Sequence, residues 1–178
     1  TSQNCVPKKG AKLPRFIGTD QFGDSVDMYD LMNQGHPIMI EVSAMWSNPS
    51  NLLAGWLAGN PTNIKKTKWW QDNFEEVKTN INAKDVYYVR VLHQGPIKGE
   101  KITSEEVAYW HKEFPNINII TIADPEAKIK TWIRPTGLPC ITLFNEDLTI
   151  SVPAEGNSGN AQRRRGLKAP FEALITTY

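Results

Sequence analysis

Apolar positions along this chain follow two spacings that take turns: short continuous runs, and runs that recur every three or four residues. Ile38-Met39-Ile40-Glu41-Val42 is an apolar run broken by one acid, the pattern of a central strand covered on both faces. Ser47 then offers an N-cap, Pro49 falls in the first helical turn where its missing N–H costs nothing, and Leu52, Leu53, Trp56 and Leu57 recur at helical spacing. A helix is expected from about Ser47. Trp70, Phe74, Val77 and Ile81 repeat that spacing and predict a second helix from about Thr67 to Asn80, with those side chains inward. The run from Val86 to Leu92 is β-branched and aromatic, stops at His93-Gln94-Gly95-Pro96, and is expected beside the first core strand.

The alternation continues toward the C-terminus. Thr103-Ser104-Glu105-Glu106 carries cap chemistry with acids in the first turn, ahead of Val107, Tyr109 and Trp110, and predicts a helix ending before Pro115. Ile117 to Ile122 reads as a strand, and Asp124-Pro125-Glu126-Ala127 as the start of a helix carrying Ile129, Trp132 and Ile133. Gly137 to Phe144, the turn Asn145-Glu146-Asp147 and Leu148 to Val152 form a hairpin pattern, and a last helix is expected from about Ala169. Ahead of all this, Thr1 to about Pro14 is polar and rich in Lys, Gly and Pro, an arm spanning residues 1–13 before a domain of residues 14–178. Within Pro14 to Leu31, Gly23 is free to take a positive φ in a turn between two short apolar runs.

Composition narrows the function classes more than it selects one. With 178 residues, 40% hydrophobic and 22% charged, the chain fits a single soluble globular domain. A formal net charge of +1 gives no electrostatic reason for nucleic acid or a membrane surface. Lys65, Lys66 and Lys68 beside Trp69-Trp70 read as a solvated helix edge, and Arg163-Arg164-Arg165 as part of an exposed loop. No apolar run approaches the roughly 20 residues that span a bilayer, and the chain opens at Thr1, which fits a processed or truncated form. Cys5 and Cys140 make neither a disulfide framework nor a metal pattern, and His36, His93 and His111 lack paired spacing. No cofactor and no metal are expected.

The strand, aromatic, turn and helix around Trp46-Ser47-Asn48-Pro49-Ser50 resemble the motif of the thioredoxin superfamily, where Trp-Cys-x-Pro-Cys opens a helix after an apolar strand. Both cysteine positions are serine here, while the Trp and the Pro stand where the family has them. Leu138-Pro139 falls where that family has its cis-proline loop, after a Gly and before the final hairpin. The resemblance covers most of the chain and implies an α/β thioredoxin-like fold, a central mixed sheet flanked by helices with an N-terminal hairpin extension. It is nearest to redoxin-type thiol–disulfide oxidoreductases of the TlpA and ResA kind, and next to peroxiredoxins. The latter have Thr three residues before their cysteine, where this chain has Ala44.

What the resemblance implies about the site follows residue by residue. Ser47 and Ser50 occupy the positions of the nucleophilic and resolving cysteines, and Trp46, Asn48, Pro49, Leu138 and Pro139 the substrate-binding surface, with Leu138 offering backbone groups to an extended peptide. Glu41 lies six positions before Ser47, where thioredoxins carry a buried acid that takes the proton of the resolving cysteine. A buried carboxylate costs several kcal/mol unless it is protonated or partnered, so proton shuttling would explain it; a strand-edge acid reaching solvent is the plainer reading. Cys140 reads as a core residue, within possible reach of Ser50. The implied partners are protein thiols and disulfides or an extended client peptide, in the periplasm or another extracytoplasmic space.

Two function classes follow. One is a thiol–disulfide oxidoreductase with both cysteines replaced by serine, the isosteric change an experimenter makes; the other is a naturally redox-inactive binding module that keeps the peptide groove. A serine hydrolase ranks third, for want of a His that the sequence places at the motif.

Overall fold

The computed structural model describes residues 7–154 and 167–177. Cys5 and the Arg163–Arg165 triplet lie outside the described residues. The central strand β3 (Ile38–Ser43) is buried at all six positions. It is so because both of its faces are covered. Met39 packs with Leu53, Trp56 and Leu57 of helix α1 (Asn48–Leu57), while Ile38, Ile40 and Val42 pack with Phe16, Met28, Ile129 and Ile133 on the opposite face. An apolar run without alternation is what such a position demands.

Around β3, a five-stranded sheet has the order β5-β4-β3-β6-β7. Strands β4 (Tyr87–Leu92) and β5 (Ile119–Ala123) run parallel to β3, β6 (Cys140–Phe144) is antiparallel to it, and β7 (Ile150–Val152) is antiparallel to β6. The parallel pairs need crossover connections, supplied by α1 with α2 (Glu75–Ala83) and by α3 (Ser104–Glu113). A short helix α4 (Lys128–Ile133) precedes β6, and α5 (Lys168–Thr177) closes the chain with Phe171 and Leu174 buried. Strands β1 (Ile17–Thr19) and β2 (Ser25–Asp27) form a separate hairpin, whose turn is held by the Asp20 carboxylate accepting from the N–H groups of Phe22 and Asp24, with Gly23 at φ 87°. Before it, the Gly10 and Leu13 N–H groups donate to the Ile150 and Leu148 carbonyls, and Leu13 is fully buried.

Several elements begin later than the sequence pattern suggests, among them the strands of the final hairpin, which start at Cys140 and Ile150 rather than at Gly137 and Leu148. The helix expected from Thr67 starts at Glu75, after single helical turns at Ile64–Lys66 and Asp72–Phe74 with Gln71 extended between them. Trp70 and Phe74 are still inward, their rings 5.4 Å apart, so their spacing reflects aromatic packing rather than a shared helix. The expected strand from Ile117 begins at Ile119, because the Asn116 side chain accepts from the Asn118 N–H in a local turn and leaves Ile117 90% exposed. The helix expected at Asp124 begins at Lys128; the buried Asp124 carboxylate accepts from the N–H groups of Lys128 and Ile129 at 2.8 and 2.9 Å and so caps that helix.

Candidate functional site

The sharp exit from β3 into α1 sets the site. Ser47 is the N-cap, at φ −81° and ψ 111°, and its hydroxyl accepts from the Ser50 N–H at 3.4 Å, with proline in the first turn. Asn51, which the spacing did not single out, laces the turn: its amide donates to the carbonyls of Met45 and Ser47 at 2.8 and 2.9 Å. Ser47 is 3% exposed and Ser50 fully buried, while Asn48 is exposed and Pro49 partly so. The Ser50 hydroxyl has no hydrogen-bond partner among the described residues.

Trp46 is half-buried beside this turn. Its indole N–H donates to the Gln94 side-chain oxygen at 2.6 Å, the Met45 N–H donates to the Gln94 carbonyl at 3.1 Å, and the Lys98 ammonium stands 5.0 Å from the indole ring centre. Gln94 and Lys98 are site neighbours that sequence reasoning missed, since Gln94 read only as the end of a strand. On the other side of β3, Val42 is paired with Cys140, so the half-buried Leu138 and buried Pro139 enter β6 alongside the end of β3 from which Trp46 and Ser47 follow. The Leu138–Pro139 peptide bond is cis.

Glu41 is fully buried, but it is not a lone acid. Its carboxylate accepts from the Ser43 hydroxyl, from the Tyr88 phenol at 2.6 Å, and from Arg90 Nε, which lies 3.0 Å from both oxygens. Glu41 and Arg90 are register partners across β3 and β4, and both side chains are out of solvent. A buried carboxylate without a partner is thus replaced by a buried ion pair. The signal was on the page: Arg90 is the one charge in an otherwise apolar, aromatic strand, as Glu41 is in its own. Burial, and then the negative charge of Glu41, push the Tyr88 phenol well above its usual range, so it stays a donor.

Two further titratable groups, Cys140 and His93, lie near this end of the sheet. Burial pushes the Cys140 thiol up to about 12, and Cys140 packs with Val42 and Ile129 on the sheet face away from α1. It is a buried core thiol. His93 Nδ1 lies 3.0 Å from the Ser43 carbonyl, an acceptor, so that nitrogen carries the hydrogen. Burial holds the His93 imidazole below its ordinary value, partly offset by that carbonyl. Lys65 is ion-paired with Glu75, and Trp70 is buried edge-on against Trp56. Among the described residues, no three metal-ligating side chains converge, and no helix is long and apolar enough to cross a membrane.

No family model matches the sequence, and no curated protein does. Among solved structures, the chain is similar to a protein of Chlorobium tepidum described as a DsbE thiol:disulfide interchange protein, at 15% identity and a TM-score of 0.61, covering 95% of this chain and 99% of that one. It is also similar to the exposed lipoprotein thioredoxin of Streptococcus pneumoniae, at 16% identity and a TM-score of 0.57, covering 92% and 97%. A thiol peroxidase of Chromobacterium violaceum is similar at 12% identity and a TM-score of 0.60, covering 97% and 86%. The fold is thioredoxin-like, a mixed sheet between helices with a separate N-terminal hairpin.

Proposed function

We propose that this chain is a client-binding protein of the redoxin type whose redox turn has the form WSNPS, and that it catalyses no thiol–disulfide exchange as written. Ser50 carries the reading. Its hydroxyl is buried without a partner among the described residues, in the place where the family has its second cysteine. A buried unpaired hydroxyl costs about 1–3 kcal/mol, whereas a thiol behaves as a small hydrophobe with a weak donor, so this pocket suits sulfur better than oxygen. Ser47 stands at the N-terminus of a ten-residue helix, where a thiolate would be stabilised by the helix dipole and by free N–H groups. A serine hydroxyl at neutral pH gives no such nucleophile.

In this reading Trp46, Asn48, Pro49, Leu138 and Pro139 form the client-facing surface, and the backbone of Leu138 docks an extended segment of a protein thiol or disulfide client. Glu41, held by Arg90 and Tyr88, anchors the sheet beneath the site rather than shuttling a proton. An extracytoplasmic location is supported by similarity to an exposed lipoprotein thioredoxin. The reading holds whether the two serines are native or introduced.

Dithiothreitol-driven reduction of insulin tests it. The chain carrying Cys5→Ser and Cys140→Ala is expected to show no turnover above background, and adding Ser47→Cys with Ser50→Cys to produce it. Turnover in the cysteine-free chain, or none in the four-substitution variant, overturns the proposal.

A further inference from the structure

The segment between β4 and α3 is a small projecting hairpin. Gln94 and Lys101 form an antiparallel bridge, the Gly95 N–H donates to the Glu100 carbonyl, and a turn at the tip is closed by the Glu100 N–H on the Ile97 carbonyl, with Gly99 at φ 98°. Its stem is fixed by the two Gln94 contacts to Trp46 and Met45 and by the Lys101–Glu126 ion pair at 2.6 Å. Its tip is out in solvent. Ile97 is 60% exposed, and Lys98 lies on the Trp46 ring with no carboxylate ion-paired to it among the described residues.

Sheet order places this hairpin opposite the Leu138-Pro139 loop. At the end of β3 the turn Trp46 to Ser50 is flanked by the segment leaving β4 on one side and by the segment entering β6 on the other. An extended chain docked along Leu138 and crossing the serine turn therefore meets Trp46, Ile97 and Lys98 next. Those three offer an aromatic face, an exposed aliphatic side chain and a cation that stands over a ring a client can share.

We propose that the 94–101 hairpin is the specificity-determining lip of the client groove, and that it selects protein segments bearing an acidic residue beside an apolar one, next to the residue presented to Ser47. This rests on the proposed client-binding face. Lys98 supplies the charge recognition, Ile97 and Trp46 the apolar contact, and Glu100, the other charge at the tip, is not required.

The probes are fluorescein-labelled peptides with a central serine preceded by leucine and followed by glutamate, glutamine or lysine, read by fluorescence anisotropy. The glutamate peptide is expected to bind about three- to fivefold more tightly than the glutamine peptide, the scale of one exposed ion pair, and the lysine peptide more weakly than either. Raising salt should compress these differences. Lys98→Glu should reverse the order, Ile97→Ser should weaken all three alike, and Glu100→Gln should leave the preference in place; all three changes are on exposed side chains, and an unchanged urea midpoint verifies the fold. Equal binding of the three peptides, an order untouched by Lys98→Glu, or binding of none overturns the inference. The insulin assay reads cysteine chemistry alone, so insulin turnover in the four-substitution variant together with absent charge preference removes this inference and leaves the reading of the serine turn standing.

Discussion

Glu41 and Arg90 face each other across the two central strands, with the guanidinium Nε 3.0 Å from both carboxylate oxygens and neither side chain more than 2% exposed. A lone buried acid would be relieved by neutralisation, so Glu41→Gln would stabilise the protein. The pair reverses the sign. Glu41→Gln leaves a buried guanidinium without its counter-charge and is expected to lower stability at neutral pH by about 3 kcal/mol, while Glu41→Leu combined with Arg90→Met recovers most of that loss. Urea denaturation of the three chains checks it, and a stabilised Glu41→Gln chain contradicts it.

The two serines should respond to alanine in opposite directions. Ser47 caps α1 through its hydroxyl, so Ser47→Ala is expected to cost about 1 kcal/mol. Ser50 carries a buried hydroxyl without a partner among the described residues, so Ser50→Ala should be neutral or raise stability by up to about 1 kcal/mol. Equal losses at both positions would mean that the Ser50 hydroxyl is satisfied.

His93 gives a pH dependence whose sign is fixed by its burial. Its folded pKa lies below the 6.5 of the free side chain, so the unfolded chain binds the proton more readily. Its contribution to stability is complete above 6.5, falls as pH drops from there toward the folded value, and levels off below it. The urea midpoint measured from pH 7.5 down to about 5.5 should fall less steeply in His93→Gln than in the parent chain, because the slope belongs to that imidazole. Identical slopes would show that His93 is solvated.

The sheet and the serine turn were legible because each rests on a local rule: a strand buried on both faces is apolar throughout, and Ser47 with Pro49 is a helix start whatever surrounds it. The ion pair was half legible. A single charge in each of two adjacent apolar strands is a pairing signal only once those strands are known to be neighbours in register, and the register is tertiary. The helix from Thr67 misled for a related reason, since Trp70 and Phe74 are brought together by ring packing, while the acids Glu75 and Glu76 mark the true first turn. Gln94 and Lys98 had no sequence signal, because their role depends on where a hairpin folds back onto Trp46.

The reading of the serine turn as a redox site without its sulfur is tested most directly by thiol titration of the chain carrying Ser47→Cys and Ser50→Cys, with Cys5→Ser and Cys140→Ala removing the other thiols. The account predicts that mild oxidation closes a disulfide between the two introduced residues, and that in the reduced form the thiol at position 47 titrates below the free value of about 8.5 because it sits at the N-terminus of α1. Two thiols that both titrate near 8.5 and never join would contradict it.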